Sequence, residues 1–193
     1  IDDGSTDNSR EIIERLSKHP KIKVIFQQNK GLNVTNNIAL RAAQGRYIMR
    51  LDADDFLDQN ALLVMSNMLE KDPDLGLVFP DYYITDDEGH PQSIHRRHDF
   101  EKDVSLLDQA AHGACTMIRV DFLKEVGGYS EDYSCQDGYE LWVKITARHK
   151  VGNINTPLFY YRQHGSNLTK NEQRILSTRA TINRDYVQYE QQK

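Results

Sequence analysis

Three carboxylates crowd into four positions at Asp52, Asp54 and Asp55, directly after the apolar stretch "YIMRL". Carboxylate oxygens are the ligands that Mg²⁺ and Mn²⁺ prefer. Such ions commonly take one or two carboxylates and bridge to a substrate phosphate. An acidic loop is also typical of a solvated turn, so the cluster alone leaves both interpretations open.

A second acidic pair, Asp2 and Asp3, stands at the start of the chain in "IDDGS". Ile1 has the character of the last residue of a strand, so we expect further residues of that strand to precede it. In an open α/β sheet, ligands bind outside the carboxyl ends of the strands. Both acidic groups follow strands and are separated by one βαβαβ passage, so we expect them to face one crevice. On its own, "DDGS" could equally be a turn and a helix cap.

The elements that must position these carboxylates alternate over the first 80 residues. Apolar periodicity and capping residues predict helices that start near Ser5 or Thr6 and over 32–43 and 59–71. Short β-branched or apolar runs predict strands at "IKVIFQ", "YIMRL" and "LGLVFP". This alternation favours βαβ units and a parallel sheet flanked by helices.

The alternation weakens after Pro80, which is the only plausible seam in the chain. We predict a hairpin around "DEGH", a strand near "ACTMIRV" and strands in "NINTPLFYYR". Helices are predicted over 103–110, from Asp121 to Gly127, over "YELWVKITARH" and over 171–190. These residues therefore form a mixed region followed by a terminal helix.

Size and composition narrow the classes of function. The chain has 193 residues, enough for one domain or one domain with an extension. Its net charge of −5 argues against a general electrostatic grip on nucleic acid or an anionic membrane. No apolar run approaches the roughly 18 residues of a transmembrane helix. The two cysteines fit reduced thiols in a cytosolic protein better than a disulfide framework.

Three segments together carry a resemblance to a known family. They are "IDDGSTDNS", "QNKGLNVTNNIALRAAQGRYIMRLDADD" and "GGYSEDYSCQDGYELWVK". The chain resembles family-two glycosyltransferases of the GT-A fold from Ile1 to about Asn167. The resemblance implies an α/β, Rossmann-like and mostly parallel sheet flanked by helices, with a mixed acceptor-side region. It divides the chain into a nucleotide-sugar part (1–80), an acceptor and catalytic part (81–170) and a C-terminal helix (171–193).

The resemblance also implies a function. The chain would move a sugar from a nucleotide-diphosphate sugar to a glycan, lipid-linked or other hydroxyl acceptor. The reaction would be inverting and dependent on Mg²⁺ or Mn²⁺, and it would serve synthesis of cell-surface polysaccharide or glycoconjugate. Such an enzyme would work in the cytoplasm, either free or at the inner face of the membrane. It would not bind nucleic acid.

On the donor side, the resemblance assigns roles residue by residue. Asp3, with Asp2 beside it, would hold the nucleotide base, and Lys30 matches a stretch that crosses beneath the nucleotide. In "DADD", Asp52 would contact the ribose or sugar and Asp54 would bind the metal.

The resemblance assigns further roles near the metal and the acceptor. Asp55 would be an alternative metal ligand. His164 resembles a late histidine that approaches the metal or the diphosphate, although a surface-loop histidine fits its position nearly as well. Asp137, in "CQDGYELW", would be the general base, with a helix cap as its alternative role.

The chain departs from the family pattern at two points. The first strand of the family is missing, and Asn36 stands where many members carry arginine, which leaves donor binding and donor specificity open.

The chain could instead be an inactive glycosyltransferase-like domain that binds carbohydrate or nucleotide. A metal-dependent phosphatase or nucleotidyltransferase would also place carboxylates after strands. The sugar, the acceptor and the oligomeric state are not predicted.

Overall fold

A computed structural model describes residues 1–96, 112–133, 135–164 and 172–191. Within these ranges the helices are α1 (Ser9–Leu16), α2 (Leu32–Ala42), α3 (Ala61–Lys71), α4 (Val120–Glu125), α5 (Asp137–Thr146) and α6 (Glu172–Gln191). The strands are β1 (Tyr47–Met49), β2 (Phe56–Leu57), β3 (Leu75–Thr85), β4 (Pro91–His95), β5 (Met117–Arg119) and β6 (Lys150–Arg162). The helix predicted over 103–110 lies outside the described residues.

The strands form one mixed sheet in the order β1-β5-β3-β6-β2, with β4 paired to β3. Only β3 and β6 run parallel, while the other four strand pairs are antiparallel. The prediction of a mostly parallel sheet is therefore wrong for the described residues. Alternation of strands and helices fixes the order of elements but not strand direction, and β5 inserts antiparallel between β1 and β3.

The predicted strand at "IKVIFQ" is reduced to a single parallel bridge between Asp2 and Phe26. The Asp2 N–H donates to the Ile25 carbonyl at 2.9 Å, and the Gln27 N–H donates to the Asp2 carbonyl at 3.0 Å. Among the described residues this segment has no longer ladder. The bridge nevertheless brings the first acidic pair beside Gln27.

Two apolar clusters hold helices against opposite faces of the sheet. On one face Val78 packs with Ala61, Met65 and Leu69, which recur every four residues along α3. On the other face, residues from β3 and β5 pack with those of α5, namely Leu77, Phe79, Ile118, Leu141, Trp142 and Ile145. Successive side chains of a strand point to opposite faces, so β3 alternates between the two clusters. Trp142 is fully buried edge-on to Phe79, which places it in the core.

β3 continues through Pro80, and its register with β6 shifts just after that residue. Proline lacks the N–H that a ladder needs, which accounts for an irregularity at this point. The proposed division at residue 80 therefore falls inside a strand and stays a prediction. The hairpin predicted around "DEGH" is confirmed by the β3–β4 pairing. None of the described helices is both long enough and apolar enough to span a membrane.

Candidate active site

Arg50, which directly follows β1, joins two of the predicted site residues. Its Nε lies 2.9 Å from Asp52 Oδ1, and its Nη1 forms a hydrogen-bonded ion pair with Asp137 Oδ2. Arg50 and Asp137 are 87 positions apart in the sequence. Their side chains are only 16% and 11% exposed, against 34% for Asp52. We call Arg50, Asp52 and Asp137 the Arg50 cluster.

Gly113 leaves the room that this ion pair occupies. A Cβ at position 113 would lie 2.9 Å from Arg50 Nη2 and 3.1 Å from Asp137 Oδ2. Both distances are shorter than ordinary van der Waals contact, so a larger residue would displace the two side chains. Gly113 therefore forms part of one wall of the cluster.

The electrostatics of the Arg50 cluster reflect one cation shared by two anions. Burial alone would lower the pKa of Arg50, but the charges of Asp137 and Asp52 outweigh it and raise that pKa. Burial raises the pKa of Asp52, assisted by repulsion from Asp137 and Asp54 and opposed by Arg50. The cluster therefore keeps an excess of negative charge in a partly buried setting, where a further cation or a hydrogen-bond donor would be stabilised.

Asp137 is the first residue of α5 and does not act as its cap. The residue that precedes the helix is Gln136, which has a left-handed backbone conformation and makes no side-chain capping bond. The Asp137 carboxylate instead reaches Arg50, at the end of a helix where the dipole favours negative charge. Asp137 therefore does not have the helix-capping role that its position in the sequence allowed.

Asp54 lies beside His164, at the end of β6. His164 Nε2 is 2.8 Å from Asp54 Oδ2, and the two side chains are 28% and 39% exposed. Arg162 Nε donates to the Asp54 carbonyl at 2.8 Å and fixes the loop. Within the described ranges, no three His, Cys, Asp or Glu side chains are grouped to hold a metal. A carboxylate and an imidazole nevertheless fit a Mg²⁺ or Mn²⁺ ion that takes its other ligands from water and substrate phosphate.

Asp55 is turned into the protein. It is 9% exposed, and its Oδ1 accepts a hydrogen bond from the Arg162 backbone N–H at 2.9 Å. Burial raises its pKa to about 6, although the Arg162 bond acts in the opposite direction. These contacts tie the "DADD" loop to β6. Its predicted role as an alternative metal ligand stays a prediction.

Asp3 accepts hydrogen bonds from the segment that leads into α2. Its Oδ1 accepts from Gln27 Nε2 at 2.7 Å and from the Lys30 N–H at 2.8 Å, and its Oδ2 accepts from the Gly31 N–H at 2.9 Å. Burial would raise the pKa of Asp3, but these hydrogen bonds together outweigh it and lower that pKa. We call Asp3, Gln27, Lys30 and Gly31 the Asp3 turn. Lys30 takes part in it through its backbone.

Asp2 is almost fully buried beside the Asp3 turn. Its Oδ1 accepts from the Ser5 N–H at 3.0 Å, and its Oδ2 lies 3.8 Å from Arg10 Nε. Its hydrogen bonds with Ser5, together with the charge of Arg10, lower the pKa of Asp2. The residue anchors the start of the chain through both its backbone bridge and its side chain.

The structure therefore brings six of the eight predicted site residues together in three groups. Asp52 joins Asp137, Asp54 joins His164, and Asp3 joins the Lys30 backbone. The sequence analysis missed Arg50 and Gln27. A charged residue at the end of the apolar run "YIMRL" is the signal that could have identified Arg50, because a buried cation requires an anionic partner.

Comparisons with known proteins identify the family of the chain. The family model described as "Glycosyl transferase family 2" matches residues 1–127. The chondroitin synthase of Escherichia coli is 32% identical over 173 residues, which is 86% of this chain and 24% of that protein. The hyaluronan synthase of Pasteurella multocida is 26% identical over 171 residues, 86% of this chain and 17% of that protein. The chain thus spans a quarter or less of the length of these relatives.

Solved structures show the same fold. TarS of S. aureus, in complex with UDP-GlcNAc, superposes with a TM-score of 0.69 at 19% identity and covers 88% of this chain and 50% of TarS. The mannosyltransferase PcManGT of Pyrobaculum calidifontis, in complex with GDP-Man and Mn²⁺, superposes with a TM-score of 0.60 at 20% identity. That match covers 82% of this chain and 45% of the mannosyltransferase. At these identities the likeness concerns the fold alone.

Proposed function

The chain belongs to glycosyl transferase family 2, and from that premise we propose that it transfers a sugar from a nucleotide-diphosphate sugar to an acceptor hydroxyl with inversion. One observation carries the proposal. Arg50 holds Asp52, from the "DADD" loop, and Asp137, from the start of α5, on one guanidinium. The donor side and the acceptor side of a transfer reaction would meet at such a point.

Asp137 is the general base in this proposal. Its Oδ2 is engaged by Arg50, so we assign Oδ1 to receive the proton of the acceptor hydroxyl. The acceptor oxygen then forms a bond to the anomeric carbon while the bond from that carbon to the diphosphate oxygen breaks, and the electron pair leaves with the diphosphate. A positioned base of this kind accelerates a reaction by about 10²–10⁴-fold.

The donor would lie between the Asp3 turn and the Arg50 cluster. The Asp3 turn supports the nucleotide base, and Asp52 contacts the ribose or the sugar. Asp54 and His164 would hold Mg²⁺ or Mn²⁺, which neutralises charge on the leaving diphosphate when bound. The presence of UDP-GlcNAc on TarS and of GDP-Man with Mn²⁺ on PcManGT supports this class of donor.

The relatives also suggest a setting. Chondroitin synthase and hyaluronan synthase make polysaccharides, as their names state. We propose that this chain likewise serves the synthesis of a cell-surface polysaccharide or glycoconjugate, acting in the cytoplasm on a glycan or lipid-linked acceptor, with peripheral attachment to the inner face of the membrane.

Calorimetric titration with UDP-GlcNAc and GDP-mannose, with and without Mn²⁺, tests the donor assignment. We expect binding that strengthens with Mn²⁺ in the wild type and loses that dependence in Asp54→Asn. Thermal stability should change little, because the Asp54 side chain is 39% exposed. Asp121→Asn, which alters an exposed carboxylate in α4, is the matched control. Metal-dependent binding that survives in Asp54→Asn would contradict the assignment.

A domain that binds donor without turnover is the second candidate, favoured by the engagement of Asp137 with Arg50. The same samples distinguish the two, because an enzyme releases nucleoside diphosphate from bound donor when an acceptor or water is available. Binding without any release, even with a panel of glycan acceptors, would favour the second candidate.

A further inference from the structure

The residue that precedes the proposed base has an unusual backbone. Gln136 has φ 63° and ψ 30°, in the left-handed region. Only one other described residue that is not glycine, Cys115, has a positive φ. Side chains disfavour this conformation, and it persists only where surrounding contacts impose it. Because Gln136 and Asp137 share a peptide bond, the backbone conformation of Gln136 sets the direction in which the Asp137 side chain points.

The contact that holds Gln136 comes from α6, the C-terminal helix. Arg179 Nε donates a hydrogen bond to Gln136 Oε1 at 2.7 Å. The Arg179 guanidinium also lies over the Tyr139 ring, with its carbon 4.8 Å from the ring centroid. Arg179 is therefore fixed at two points, one residue before Asp137 and two residues after it.

Other side chains of α6 hold the same segment. Tyr139 OH donates to Asn183 Oδ1 at 2.9 Å, and Cys135 Sγ lies 3.3 Å from Thr178 Oγ1. These contacts flank Gln136 on both sides in sequence. The Asp137 carboxylate, which follows Gln136 in this segment, pairs with Arg50 of the candidate active site.

We propose that Arg179 is a positioning residue for Asp137. It holds Gln136 in the left-handed conformation and so aims the Asp137 carboxylate at the acceptor hydroxyl. The inference rests on the proposed function, in which Asp137 is the general base. In this proposal α6 contributes to catalysis through Gln136, although none of the described contacts joins a residue of α6 to the Arg50 cluster.

Steady-state kinetics of full-length protein test the proposal, with UDP-GlcNAc and GDP-mannose as donors and Mn²⁺ present. In Arg179→Met, we expect kcat to fall by about 10- to 100-fold, the cost of a small misplacement of a reacting group. The KM for the donor should stay at the wild-type value, because the described contacts of Arg179 are with Gln136 and Tyr139 and not with the Asp3 turn. Arg179→Lys keeps a hydrogen-bond donor and should recover part of the loss. Arg184→Met, on an exposed arginine of the same helix, is the control and should match the wild type.

A double-mutant cycle with Asp137→Asn separates this inference from the proposed function. If Arg179 acts through Asp137, the double variant is no slower than Asp137→Asn alone. Losses that multiply would overturn the inference and leave the base assignment standing, as would normal turnover in Arg179→Met. Full activity of Asp137→Asn would overturn both. If Arg179→Met does not fold, Gln136→Leu breaks the same hydrogen bond at its acceptor end and must reproduce the fall in kcat.

Discussion

The Asp3 turn and the Arg50 cluster both hold carboxylates in the candidate site, but they hold them by different means. Asp3 is satisfied by neutral donors, namely the Gln27 amide and the backbone of Lys30 and Gly31, which all lie within 28 positions of it. Asp137 is held by a charged side chain that lies 87 positions away. The first arrangement depends on the single bridge between Asp2 and Phe26, whereas the second exists only when the sheet and α5 are assembled.

The two groups also differ in their charge. Hydrogen bonds outweigh burial at Asp3 and lower its pKa, whereas burial raises the pKa of Asp52 despite the nearby Arg50. Asp3 is therefore stable as a carboxylate without any ligand. The Arg50 cluster has two carboxylates for one guanidinium, so it has capacity left to interact with a ligand or a proton. In the proposed function, the Asp3 turn would therefore support the donor and the Arg50 cluster would perform the chemistry.

Arg50→Met should have the largest effect, because it removes the cation from the cluster while both carboxylates stay. Removing one partner of a buried ion pair costs about 3–5 kcal/mol, and partial exposure places this site near the lower end. We also expect kcat to fall at least as far as the loss of a general base, about 10²–10⁴-fold. Chemical denaturation and donor-turnover assays would measure the two effects. Stability and turnover equal to those of the wild type would show that Arg50 does not organise the site.

Gly113→Ala should have the next largest effect and should act on geometry alone. The added methyl would press on Arg50 Nη2 and Asp137 Oδ2, which lie at the ends of side chains and can move. We therefore expect little change in the melting temperature but a fall in kcat of about 10- to 100-fold. Gly127→Ala is not a suitable control, because Gly127 has a positive φ of 84°. Asn67→Ala, at an exposed position of α3, is suitable. Normal kcat in Gly113→Ala would mean that the ion pair tolerates displacement.

Asp3→Asn should have a smaller effect, confined to the affinity for the donor. The asparagine amide would face backbone N–H donors and lose at least one hydrogen bond, at a cost of about 1–3 kcal/mol. Donor affinity should weaken, whereas kcat at saturating donor should stay near the wild-type value. Titration calorimetry and saturation kinetics would show the split. A loss of kcat with intact affinity would reverse the roles that we assign to the two groups.

Glu140→Gln should have the smallest effect on turnover, and it should act on stability and on the pH dependence of stability, because it removes the buried partner of Lys144. Burial raises the pKa of Glu140 above the ordinary value of 4.5, although Lys144 opposes the shift. A raised pKa in the folded state means that this group favours folding at low pH, and that its contribution is lost as pH rises above about 4.5. The variant should therefore show a shallower decline of stability in that range, with turnover unchanged. An identical pH profile in wild type and variant would contradict the shift at Glu140.

Most of the helices and strands could be predicted from the sequence, because their signals are local. Asp52 and Asp54 follow an apolar strand, and Asp137 begins an amphipathic helix, so spacing and family resemblance could single them out as candidates. Strand direction could not be predicted, because β1 and β5 have only three residues each and no local pattern fixes how they pair. The partner of Arg50 was equally hidden, since the pairing depends on the register of β1 with β5 and on the left-handed turn at Gln136.

The central claim is that Asp137 takes the proton from the acceptor, and a single-turnover measurement of sugar transfer in Asp137→Asn tests it most directly. With donor bound in advance and acceptor in excess, the rate of the chemical step is separated from binding and product release. We predict a rate lower by about 10²–10⁴-fold, with the dissociation constant of the donor unchanged. A single-turnover rate equal to that of the wild type, or a loss that disappears at saturating donor, would contradict the claim.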